Sequence, residues 1–157
     1  DLVVAGPIDP EMPARLAEWE QKAGVSGRVR YLGSIKGEER LDALSSATVF
    51  ALPSYTENFG IAILEALGIG LPVLVSDQVN IHELISSGDV GWVTPCDAAA
   101  VADALQRALT DRDLNKRLRD NSADFLERHF SIKANARILE AGLMETIRRH
   151  KEAQSQA

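Results

Sequence analysis

At 157 residues, with 45% hydrophobic and 25% charged side chains, the chain has the composition of one globular domain able to bury a useful core. A formal net charge of −6 and a pI near 5.1 leave no basic surplus to neutralise phosphates, which argues against a nucleic-acid binder. The single cysteine, Cys96, excludes an internal disulfide and suits a reducing, cytoplasmic compartment.

Residues 2–6 (LVVAG) open the chain directly on a strand-like run with no initiator Met, so the sequence reads as a piece of a larger protein. A helix is expected over 10–23, a strand over 28–33 (RVRYLG) and a helix over 38–46. Next come a strand over 48–53 (TVFALP), a helix over 61–69 and a strand over 72–77 (PVLVSD). A short helix at 81–86 and a strand at 91–95 (GWVTP) follow, then helices over 98–109, 114–128 and 132–151. The strands are short, β-branched and bounded by Gly or Pro, and their two-sided apolarity suits parallel strands covered on both faces. Strand–helix alternation of this kind predicts an α/β fold, a doubly wound parallel sheet over residues 1–150, with 151–157 as a polar tail expected to fray.

Local punctuation adds detail. Asn80, with Glu83 three residues on, reads as a capping box for the fourth helix, and Asp97 and Ser131 read as caps of the helices after them. Asp111 and Asp113 form a DxD sequence at a helix–helix junction, where capping explains both better than a metal site does. His82, His129 and His150 lack ligand spacing. Cys96 reads as a small packing residue. In the last helix Ala136, Leu139, Leu143 and Ile147 form an apolar stripe ahead of Arg148, Arg149, His150 and Lys151. The plain reading is a packed helix with a basic final turn complementing its dipole; the alternative is a peripheral contact with anionic lipid.

The informative stretch is 57–75, ENFGIAILEALGIGLPVLV. From Phe59 to Val75 every residue is apolar, Gly or Pro except Glu65, and an ionised carboxylate taken from water without a partner costs several kcal/mol. The stretch is too short and too broken by Gly70 and Pro72 to cross a bilayer. It follows a strand, and in doubly wound sheets ligands bind beyond the carboxyl ends of the strands. A helix starting after Gly60 would aim its free N–H groups into that crevice, with no side chain at Gly60 to obstruct a ligand. Ile61, Glu65 and Gly68 share one helical stripe; if it faces the crevice, Glu65 can accept both hydroxyls of a vicinal diol such as ribose, and Glu57 can reach another part of the same ligand. The bland alternative pairs Glu65 with an Arg or Lys and leaves Glu57 solvated.

Glu57 and Glu65, with seven residues between them, resemble the E-x7-E motif of retaining glycosyltransferases with the GT-B fold. RVRYLGSI, the run from LDALSSATVFALPSYTENFG to PVLVSD, and HELISSGDVGWVTPCDAAAVADAL are similar in order and spacing to that family's C-terminal domain, to about Leu109. The resemblance implies a Rossmann-like half of a two-domain enzyme that transfers a sugar from a nucleotide diphosphate donor with retention. Glu57, as the catalytic-site carboxylate, would hydrogen-bond the transferred sugar and Glu65 the ribose. The backbone at Asn58, Phe59, Gly60 and Ile61 would meet sugar and phosphate, and Gly33, Ser34 and Ile35 would lie near the base. No cofactor or metal is implied in this domain. Also implied are a further strand with an Arg- and Lys-bearing loop ahead of residue 1, and an N-terminal acceptor domain; the chain alone is expected to bind donor weakly and turn nothing over. One departure stands out: Val79 and Asn80 occupy the place of the family's frequent Gly-Gly turn. Rival readings are a nucleotide-sugar epimerase or phosphorylase on the same architecture, and a non-catalytic α/β interaction module.

Overall fold

A computed structural model of the chain describes residues 1–155. The described residues form two compact units, 1–43 and 44 onward, divided within the second helix.

The first unit contains β1 (Leu2–Ala5), α1 (Met12–Ala23), β2 (Val29–Gly33) and most of α2 (Gly37–Ser45). β1 and β2 pair in parallel, Leu2 opposite Val29, with a register shift between Val4 and Ala5. Pro13 sits in the first turn of α1, where its missing N–H costs nothing, and Gly24 ends the helix in the left-handed conformation at φ 69°. Glu20 ties the helix to the strand: its carboxylate accepts from the Val29 N–H at 2.8 Å. The Tyr31 hydroxyl donates to the Gly6 carbonyl. Among the described residues of this unit none is fully buried.

The second unit holds β3 (Phe50–Leu52), α3 (Ile61–Gly68), β4 (Val73–Ser76), α4 (His82–Ser87), β5 (Gly91–Thr94), α5 (Ala98–Thr110), α6 (Arg112–Phe130) and α7 (Ile132–Ser155). β3, β4 and β5 form a parallel sheet in that order, with β4 central and wholly buried. Alternation along β4 divides the core. Val73 and Val75 face one side with Ile63 and Leu67 of α3, Ile85 of α4 and Phe125 of α6. Leu74 and Trp92 face the other with Ala104 and Ala108 of α5 and Leu118 of α6. Helices thus cover both faces of this sheet, as its two-sided apolar strands predict.

Asp97 caps α5, accepting from the Ala99 and Ala100 N–H groups at 3.1 and 3.0 Å. Ser131 accepts from Ala134 N–H at the start of α7. Asp111 caps α6 through the Leu114 N–H, and Asp113 lies in the acidic first turn, so helix geometry accounts for the DxD sequence.

Three expectations are corrected. The N-cap position of α4 is Ile81, without a side-chain cap, and the Asn80 amide donates to Asn58 instead. α7 continues as helix through Ser155, so the basic group at 148–151 is not its final turn; residues 156 and 157 lie outside the described part. Among the described residues its apolar stripe is left largely open: Leu139, Leu143 and Ile147 are 64%, 56% and 49% exposed. Arg148 pairs with Glu145 and Glu152, and Arg149 with Glu145, so the two arginines are matched by acids of their own helix. No helix among the described residues is long and apolar enough to cross a membrane.

Candidate functional site

The carboxyl ends of β3, β4 and β5 lie side by side because the strands are parallel, and the loops leaving them are tied together. The Ser76 hydroxyl, buried at the end of β4, donates to the Ser54 carbonyl in the loop after β3. The Cys96 thiol, just past β5, donates to the Pro53 carbonyl at 3.3 Å, which gives this half-buried cysteine a structural partner. Asp77 N–H reaches the Thr94 carbonyl at 3.0 Å. The loop from Pro53 to Gly60 is therefore held over the strand ends at its start.

It is held at its end too. Glu57 and Val79 form an isolated parallel bridge, and the Asn80 N–H donates to the Glu57 carbonyl at 3.0 Å. The Glu57 side chain turns forward along its own chain, and one carboxylate oxygen accepts from the N–H groups of Phe59 and Gly60 at 3.3 and 3.1 Å. These are the first free amides ahead of α3, where a negative group is favoured by the helix dipole. The Phe59 ring rests edge-on against Phe130, centroids 5.8 Å apart.

Gly60 is the N-cap of α3 at φ 66°. A Cβ there would stand 2.6 Å from Ile63 Cδ1, so both backbone and packing demand glycine. The helix turned out from this point buries Ile63, Ala66 and Leu67. Glu65 is half-buried, while Ile61 (67% exposed) and Gly68 lie open on its stripe. The carboxylate is thus at the border of the core rather than inside it. Tyr55, Phe59 and Ile61 leave apolar surface exposed along the same loop and helix start.

Glu57, Asn58, Phe59, Gly60, Ile61 and Glu65 are thereby gathered on one loop and one short helix. Gly33, Ser34 and Ile35 lie in the other unit at the end of β2, where Gly33 turns the chain at φ 69° and its carbonyl accepts from Gly6 N–H at 2.8 Å. A hollow of about 410 Å³ between α3 and α6, lined by Leu64, Leu126, Glu127 and Phe130, includes neither Glu57 nor Glu65. Among the described residues no group of three His, Cys, Asp or Glu side chains is placed to hold a metal ion. The part of the site that sequence reasoning missed is the bracing by Ser76 and Asn80; the Val-Asn pair in place of Gly-Gly was the one available signal.

Comparison with known proteins places this arrangement. The sequence pattern of the family described as glycosyl transferases group 1 matches residues 1–125. Phosphatidyl-myo-inositol mannosyltransferase of Mycobacterium leprae is 33% identical over 111 residues, 69% of this chain and 30% of the relative. D-inositol 3-phosphate glycosyltransferase of Streptomyces bingchenggensis is 32% identical over 137 residues, 85% of this chain and 30% of the relative. The chain therefore spans about a third of the length of the curated relatives it matches. Among solved structures, sucrose-phosphate synthase of Thermosynechococcus elongatus superposes with a TM-score of 0.75 at 27% identity, covering 94% of this chain and 39% of that one. Anabaena HepE in complex with UDP and glucose shares the fold at a TM-score of 0.74 and 21% identity, over 88% of this chain and 39% of that one. The parallel sheets flanked by helices are those of GT-B glycosyltransferases, and this chain belongs to the glycosyl transferases group 1 family.

Proposed function

We propose that this chain is the donor-binding half of a retaining glycosyltransferase, which takes a sugar from a nucleotide diphosphate and passes it to an acceptor. The observation that carries the reading is the Glu57 turn beyond the carboxyl end of β3, with the Phe59 and Gly60 amides it engages, followed by half-buried Glu65 just over a turn into α3. Glu65 receives the ribose hydroxyls, since an ionised carboxylate accepts two hydrogen bonds from a vicinal diol. The Phe59 and Gly60 amides, backed by the start of α3, receive a diphosphate oxygen. In doing so the oxygen replaces the Glu57 carboxylate on those amides, and Glu57 is released to the hydroxyls of the transferred sugar. The protein's contribution to chemistry is then electrostatic: fixed N–H groups stabilise the charge that develops on the leaving diphosphate.

The exposed Leu139, Leu143 and Ile147 on α7, together with the third of relatives' length that the chain spans, support a further acceptor-binding domain in the whole protein that covers apolar surface left open here. Alone, the chain binds donor weakly and does not complete transfer.

The test is titration with UDP, GDP and ADP, repeated on Glu65→Ala. One nucleotide binds the parent, and the substitution abolishes that binding; equal binding by both proteins removes the ribose role. Assay of the full-length protein with nucleotide sugars and acceptor separates transfer from epimerisation, the outcome that would favour the rival enzyme class.

A further inference from the structure

We infer that Asn80 is a positioning residue: it holds the Glu57–Asn58 segment in the shape that meets the diphosphate, an inference that rests on the donor-binding reading above. The turn after β4 is fixed before it reaches this segment. Val79 is fully buried, and its carbonyl is approached by both the N–H and the Nδ1 of His82, at 2.9 and 2.8 Å. From this anchored turn Asn80 reaches back twice. Its N–H donates to the Glu57 carbonyl at 3.0 Å, and its Nδ2 donates to Asn58 Oδ1 at 2.9 Å.

The second bond is a property of the side chain, and glycine at this position cannot make it. Asn80 does not cap α4; the cap position is Ile81. Nor does the turn need glycine. Asp89 is the one non-glycine among the described residues with a positive φ, so Val79 and Asn80 sit in ordinary backbone conformations. The bond therefore links exposed Asn58, next to half-buried Glu57, to a turn anchored by buried Val79, across a gap of more than twenty residues in sequence. Ordering a binding loop before its ligand arrives raises affinity by removing that ordering from the binding step. The group placed by the brace is the Glu57–Gly60 turn, whose amides meet phosphate in the donor reading, so its loss should be felt by the distal phosphate more than by the rest of the nucleotide.

The experiment compares the parent full-length protein with Asn80→Ala, Asn58→Ala, the double variant and Glu65→Ala. Each is titrated with UDP, GDP and ADP and with UMP, GMP and AMP, and melting temperatures are recorded. Loss of one exposed side-chain hydrogen bond predicts a rise of about threefold in the diphosphate Kd for each single Asn variant. The double variant should rise no further, because both substitutions break the same bond. The monophosphate Kd should stay near the parent's, and the melting temperature should move by no more than about 2 °C. Equal weakening of mono- and diphosphate would reduce Asn80 to a general structural role and overturn the inference, as would additive effects or unchanged diphosphate binding. If Glu65→Ala alone abolishes binding in that case, the donor reading stands without the brace. If every variant, Glu65→Ala included, binds as the parent does, both fall.

Discussion

Gly60→Ala tests how tightly the entrance to α3 is specified by backbone and packing. Two separate effects oppose the added methyl. The first is conformational: φ is 66°, a region where an L-residue with a Cβ is disfavoured by about 1 kcal/mol relative to glycine. The second is packing. The Cβ would lie 2.6 Å from Ile63 Cδ1, 3.1 Å from Ile63 Cγ1 and 3.4 Å from Glu57 Cγ. Ile63 is fully buried against the β3–β5 sheet, so its δ-methyl has nowhere open to move, and forcing it costs about 1–2 kcal/mol. The sum is about 2–3 kcal/mol. Urea denaturation of the parent, Gly60→Ala, Ile63→Val and the double variant measures it and separates its parts. Ile63→Val removes the atom at 2.6 Å and by itself costs about 0.5–1.5 kcal/mol. In the double variant it relieves the overlap, so the two losses should fall short of adding by about 1 kcal/mol. A Gly60→Ala loss under about 0.5 kcal/mol, or strict additivity with Ile63→Val, would refute the packing argument.

Two further outcomes concern the frame around the site. Gly91→Ala places a Cβ 2.2 Å from the Val73 carbonyl oxygen, a backbone atom inside the β4–β5 ladder, so the strands must part; a loss above about 3 kcal/mol in urea denaturation is expected, and one below about 1 kcal/mol would contradict the strand spacing described here. Arg148, and after it Arg149, hold the Glu145 carboxyl below the ordinary glutamate range. A lowered native pKa means this contribution is present at pH values above the unfolded carboxyl's pKa and is lost as pH falls through the native one. An NMR titration of the Glu145 side chain with midpoint at or above that of an unpaired glutamate would overturn the pairing.

Much of the fold was legible because its signals are local. Strand 91–95 was expected from its β-branched run between Gly91 and Pro95, and β5 spans Gly91–Thr94. Asp97 and Ser131 cap the helices they precede because a cap needs only the next three residues. Asn80 has the same local pattern and does something else, since its partner Asn58 lies far back in the chain and no local rule weighs that competitor. The stripe on α7 failed for a related reason. Helical spacing of Leu139, Leu143 and Ile147 states that an apolar face exists, and nothing in the spacing says what covers it.

The carboxylate at position 65 shows where linear reading and geometry part. In sequence, Glu65 stands alone in a run of apolar residues, and its desolvation looks like the cost to be explained. In the fold the run wraps, and α3 sends Ile63, Ala66 and Leu67 inward while Glu65 stays half in water. The residue out of place is its neighbour on the stripe. Ile61 is 67% exposed, and with Phe59 at 44% and Tyr55 at 83% it leaves apolar surface beside two glutamates. A helix that merely needed a solvated face would carry polar side chains there. The donor proposed above, a sugar nucleotide, has C–H faces and hydroxyls that call for apolar and carboxylate groups together. The acid is therefore informative through its company: Glu65→Ala should remove binding, and Ile61→Ser should weaken it while leaving the core packing of Ile63 and Leu67 untouched.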